Sequence, residues 1–86
     1  MTPAEVQSLY IALLQALRAQ GEVGMPADRL LNGVRIAGFT TDLPTLNSHL
    51  RMLCDRSWVA GWESGLGGRR YRITGLGESQ LTEAGL

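Results

Sequence analysis

Lysine is absent from this 86-residue chain, and cysteine, histidine and phenylalanine each occur once. Each scarcity removes a class of function. The single Cys54 cannot form an internal disulfide, which fits a reducing, cytoplasmic setting. One His and one Cys, five positions apart on the same candidate helix, cannot complete a zinc site or a Cys–His catalytic pair. No apolar run approaches the ~20 residues a bilayer-spanning helix needs. The opening Met1-Thr2-Pro3-Ala4-Glu5 has no basic region of the kind that starts a secretory signal. The glycines at 65, 67 and 68 lead from one strand into another rather than into a helix, so they lack the setting of a phosphate-binding loop. No carboxylate pair has a spacing suited to acid–base hydrolysis of sugars. The expectation is a soluble protein that is not an enzyme and uses no cofactor and no metal.

Net charge is formally zero, so no global basic field draws the chain to polyanions. The distribution is less even. Met1 to Pro44 carries three arginines and four acids, whereas Thr45 to Thr74 carries five arginines against Asp55 and Glu63. The last twelve residues add only Glu78 and Glu83. Positive charge is therefore gathered in one segment: Arg51, Arg56, Arg69, Arg70 and Arg72.

The length predicts one domain over residues 1–86. Val6, Leu9, Tyr10, Leu13, Leu14 and Leu17 recur at helical spacing and predict a first helix over about 3–20. Thr2 is its cap candidate, Glu5 completes a capping-box pattern, and Gly21 stops it. Glu22 to Met25 reads as a short extended link. Pro26 opens a second helix over about 26–37, with Leu30, Leu31, Val34 and Ala37 inward and Gly38 as the stop. A third helix over about 43–56 follows, capped by Thr41 or Asp42 and carrying Leu43, Leu46, Leu50 and Leu53. Residues 58–62 and 69–74 read as two strands around a glycine-rich turn. Alternation puts Tyr71 and Ile73 on one face and Arg70 and Arg72 on the other. Gly75 to Leu86 reads as a turn or short fourth helix bearing Leu76 and Leu81. The fold class expected is mainly α with a small β-hairpin, α+β.

The run Thr45-Leu46-Asn47-Ser48-His49-Leu50-Arg51-Met52-Leu53, leading to Ser57-Trp58-Val59, resembles the recognition helix of winged helix-turn-helix regulators of the MarR, ArsR and PadR kind. Gly68-Arg69-Arg70-Tyr71-Arg72-Ile73-Thr74, then Gly77 and Leu81, resembles their wing and its exit. The resemblance covers about Pro26 to Leu81. It implies a three-helix core with a two-stranded wing over about 58–74. Two features depart from the pattern. Ser57-Trp58 stands where that family has glycine and an aliphatic residue, and the sequence stops near Leu86, where many of its members continue into a long dimerisation helix.

That resemblance implies sequence-specific binding of double-stranded DNA by a bacterial or phage-type transcriptional regulator. The third helix would enter the major groove, where Asn can bridge adenine and Arg guanine. Thr45, Asn47, Ser48 and Arg51 are the candidate base readers. Thr40 and Thr41, with the start of the third helix, are candidates for a phosphate. Arg69, Arg70 and Arg72 would meet phosphates or a narrow minor groove. A homodimer on a two-fold site is the usual arrangement. His49, Trp58 and Trp62 read first as packing residues. The competing reading is a protein-interaction module of the same fold that binds a protein partner and no DNA, since fold does not fix function.

Overall fold

The computed structural model describes residues 1–86 as four helices and a three-stranded antiparallel sheet, an α+β arrangement. Helix α1 spans Pro3–Gln20. The Thr2 hydroxyl accepts the Glu5 amide at 3.2 Å and donates to the Glu5 carboxylate, closing the amino terminus. Leu9, Leu13, Leu14 and Leu17 form its buried stripe. Gly21, at φ 62°, turns the chain into a single 3-10 turn, Gly21–Val23. Here the structure departs from the expected extended link. Strand β1 is Met25–Pro26, and Pro26 precedes helix α2, Ala27–Ile36, as its cap rather than lying inside it. Helix α3 is Leu43–Asp55, capped by Asp42. Strands β2, Val59–Glu63, and β3, Arg69–Ile73, form the hairpin, and helix α4 runs from Gly75 to Glu83.

The strand order is β1-β3-β2, so β3 is central and the hairpin has a third strand that the sequence pattern did not reveal. Met25 pairs with Tyr71 and Pro26 with Arg70, while Gly61 pairs with Tyr71 and Trp62 with Arg70. Proline lies at the outer end of the sheet, where its missing N–H costs least. Gly24 makes this approach possible. It has φ 70°, and a Cβ there would collide with the Tyr71 carbonyl and come within 2.8 Å of the Trp62 ring.

The core is almost entirely leucine. Leu9, Leu13, Leu14, Leu17, Leu30, Leu46, Leu50, Leu53 and Leu81 are its largest fully buried side chains, joined by Val34, Val59 and Tyr71. Each helix contributes one stripe, and none alone could hide its apolar face from water. Truncating one such leucine to alanine costs about 2–5 kcal/mol.

The base of the hairpin is fixed by Ser57, just before β2, and Thr74, just after β3. Ser57, φ 64°, is the only non-glycine residue with positive φ. It takes the conformation a glycine would adopt freely, and so the sequence departure at 57 leaves the turn intact. The Thr74 hydroxyl donates to the Ser57 carbonyl at 2.6 Å and accepts the Gly77 amide at 3.1 Å. The Thr74 amide donates to the Trp58 carbonyl at 3.0 Å. A Cβ at Gly77 would strike that same Trp58 carbonyl.

Two substitutions test this junction by urea denaturation. Ser57→Gly should stabilise the protein by roughly 0.5–1 kcal/mol, because left-handed backbone costs a side-chain-bearing residue more than glycine. Gly77→Ala should destabilise it by about 2 kcal/mol or more, the range of a buried steric conflict. Equal stability of Gly77→Ala and wild type would contradict the described packing.

Candidate functional site

A cleft of about 660 Å³ opens between α3, the start of α2 and the hairpin. Leu43, Asn47, Arg51, Cys54 and Asp55 line one wall, at spacings that put them on one face of α3. Gly67, Arg69 and Tyr71 form the opposite wall, and Pro26, Ala27 and Asp28 close the end. The structure thus brings Asn47 and Arg51 together with Arg69. It does not bring them to Arg70 and Arg72, which belong to the other face of β3.

The arginines divide by what already holds them. Arg69 makes the chain's single ion pair, with Glu63 at 3.4 Å, and lies over the Tyr71 ring at 5.6 Å. Its guanidinium also covers Gly61, where any side chain would displace it. Arg70 is committed inside the molecule. Its Nε donates to the Val23 carbonyl at 3.1 Å and its second guanidinium nitrogen to the Gly24 carbonyl at 3.0 Å. Arg70, a DNA-contact candidate by sequence, is a half-buried brace between β3 and the turn before β1. Arg72 is exposed, lies 6.0 Å from the Trp62 ring, and borders a shallow hollow with Glu22, Thr74 and Glu78. Arg51 is exposed and has no hydrogen-bond or ion-pair partner. Arg51 and Arg69 share the cleft with two carboxylates, Asp28 and Asp55, so its charge is balanced rather than strongly positive.

The amino end of α3 is occupied. Asp42 accepts the Thr45 amide at 2.9 Å, which holds its carboxyl below the ordinary carboxylate range, helped by Arg35 nearby. A fixed negative charge at this end opposes a phosphate. The candidate phosphate site at Thr40, Thr41 and the helix start therefore lies beside the Asp42 carboxylate. Arg35 donates twice to the Thr41 carbonyl, at 3.1 and 3.0 Å, and fixes the turn between α2 and α3. The Thr41 hydroxyl is enclosed without a partner, and Thr40 is exposed.

Thr45, Asn47 and Ser48 are all exposed on α3. Ser48 bonds back to the Pro44 carbonyl at 3.2 Å. His49 turns to α1, where the Tyr10 hydroxyl meets its Nδ1 at 3.2 Å with the rings edge to face. Trp58 is half-buried under Arg56, which lies 5.1 Å from its ring. Burial pushes the Cys54 thiol up against the opposing pull of Arg69, so it stays protonated near neutral pH. No group of three or more His, Cys, Asp or Glu side chains is placed to hold a metal ion. No helix is long and apolar enough to cross a membrane.

Sequence reasoning missed the pairing of Arg69, rather than Arg70 and Arg72, with α3. Leu66 at the hairpin tip, by sequence a candidate for an apolar protein-contact patch, has a fully exposed side chain. No protein-family model, curated protein or solved structure matches this chain.

The Asp42 cap has a pH signature. A carboxyl whose folded value is lowered adds stability above its unfolded value, near pH 4, and loses it as pH falls through the folded value. Urea midpoints between about pH 2 and 6 should show this acid limb in wild type, flattened in Asp42→Asn. Asp42→Ala should lower the midpoint throughout. Superimposable acid limbs for wild type and Asp42→Asn would contradict the cap.

Proposed function

We propose that the chain is a winged helix-turn-helix domain that binds double-stranded DNA, with α3 in the major groove and the hairpin as its wing. The observation that carries this reading is the cleft that joins the exposed, unpartnered Arg51 and Asn47 of α3 to Arg69 of the hairpin. Arg and Asn are the side chains that bond base edges in pairs, to guanine and adenine respectively. Thr45, two residues before Asn47 and on another side of α3, is exposed and can meet a phosphate. Arg69 is oriented by Glu63 and Tyr71, which reduces the ordering cost of a phosphate contact. Arg72, low on the outer face, reaches the flanking backbone. In this role the protein is a transcriptional regulator acting as a homodimer on a two-fold site.

A protein partner is the second reading, favoured by one feature. A narrow, mostly apolar groove between α1 and α4 is lined by Tyr10, Ile11, Leu14, Trp58, Leu81 and Ala84. It lies apart from the cleft, so the two readings predict different sensitive residues.

Fluorescence anisotropy with duplex DNA, titrated across salt, separates them. Wild type should bind with a steep salt dependence, losing about 0.9 logarithmic unit in affinity per phosphate contact for each tenfold rise in salt. Arg51→Ala should weaken binding about tenfold or more and relax base preference. Arg69→Ala and Arg72→Ala should each weaken it on all sequences and shallow the salt slope. Undiminished binding by Arg51→Ala and Arg69→Ala would refute this surface.

A further inference from the structure

Leu66 is the most exposed large apolar side chain of the protein, at 110% of its reference area. It is not carried on a loose loop. The Ser64 hydroxyl donates to the Gly68 carbonyl at 2.6 Å, and the Ser64 amide donates to the same oxygen at 2.8 Å. The Gly67 amide returns to the Ser64 carbonyl and the Gly68 amide to the Gly65 carbonyl, each at 3.3 Å. Gly65 and Gly68 adopt φ 67° and 74°, which close this ring. A side chain at Gly67 would press on the Ser64 hydroxyl, at 2.9 Å from its Cβ. The turn is therefore ordered around one purpose-shaped projection: a leucine with glycine on both sides.

Three observations say what such a projection meets. The tip adjoins the cleft, because Gly67 lines the same wall as Arg69 and faces Asn47 and Arg51. Residues 64–68 carry no charge, and Arg69 follows them directly. Flanking glycines leave the tip narrow, and a minor groove is only about 6 Å wide. Apolar side chains that enter the minor groove wedge between base steps, unstack them and kink the duplex by roughly 20–90°.

We infer that Leu66 is a minor-groove wedge that unstacks a base step and bends the bound duplex. This inference rests on the DNA-binding reading above. It assigns the hairpin tip a deforming role, with specificity for flexible pyrimidine–purine steps such as TA, which cost least to unstack.

The test uses the full chain and a duplex of about 30 base pairs containing TA steps, with 2-aminopurine replacing adenine at those steps and a dye pair at the ends. Wild type should raise 2-aminopurine fluorescence and shorten the end-to-end distance. Leu66→Ala should still bind, several-fold more weakly, with an unchanged salt slope, a near-straight duplex and quenched 2-aminopurine. Its thermal melt should match wild type, since the side chain contacts nothing that holds the fold. A wild-type complex with a straight duplex, or equal bending by Leu66→Ala, overturns the wedge while leaving DNA binding intact. Absence of any complex in wild type overturns the DNA-binding reading itself. If Leu66→Ala instead loses a protein partner while DNA bending is unchanged, the tip is a protein contact and the wedge is refuted.

Discussion

The placement of the hairpin's candidate side chains against α3 rests on the clasp at the hairpin's base. Thr74 holds the Ser57 carbonyl with its hydroxyl and the Trp58 carbonyl with its amide, and the same hydroxyl caps α4 through Gly77. Four elements meet around this one residue: the end of α3, the two long strands and the last helix. Hydrogen bonds of this kind each contribute modestly, and together they hold one geometry. The clasp fixes the angle at which the hairpin leaves α3. That angle opens the cleft and brings Arg69 opposite Arg51.

Around the clasp, the leucine core supplies the binding energy and the polar braces supply direction. Leucine side chains pack closely without specifying orientation by hydrogen bonds. Orientation comes from Arg35 on the Thr41 carbonyl and Arg70 on the Val23 and Gly24 carbonyls. Both arginines spend their charge on backbone oxygens, one holding the turn into α3 and the other holding β3 to β1. Those bonds fix where the two guanidinium charges sit without neutralising them. Around the cleft, Arg51 has no ion pair and Arg69 is oriented by one, while Arg29, Arg56 and Arg72 are exposed elsewhere on the surface without an ion pair.

Much of the fold was legible in local signals. The α1 stripe with its Thr2 cap, the α3 stripe after Asp42, and the alternation around Tyr71 are all set by residues within a few positions of one another. Strand β1 was not legible, since two residues have no period and Pro26 reads as a helix opener. It exists because Gly24 lets the chain approach Tyr71, a contact 47 residues distant in sequence. The site was legible only in part, for the same reason. Sequence alternation correctly separates Arg70 and Arg72 from Tyr71, but which face of the sheet looks toward α3 is decided by packing. Arg69 shares the Tyr71 face and so faces the cleft. The role of Arg70 depends on carbonyls contributed by a distant turn, which no local pattern announces.

In the DNA-binding proposal, α3 and the adjoining hairpin form the surface that meets the duplex. Backbone amide chemical shifts of the isotopically labelled protein, followed by NMR as duplex is added, test it most directly. Thr45, Asn47, Arg51 and the tip glycines should move together and saturate at one ratio, while Ile11, Leu14 and Leu81 on the opposite groove stay fixed. Shifts confined to the groove between α1 and α4, or no shift anywhere at low salt, would contradict it.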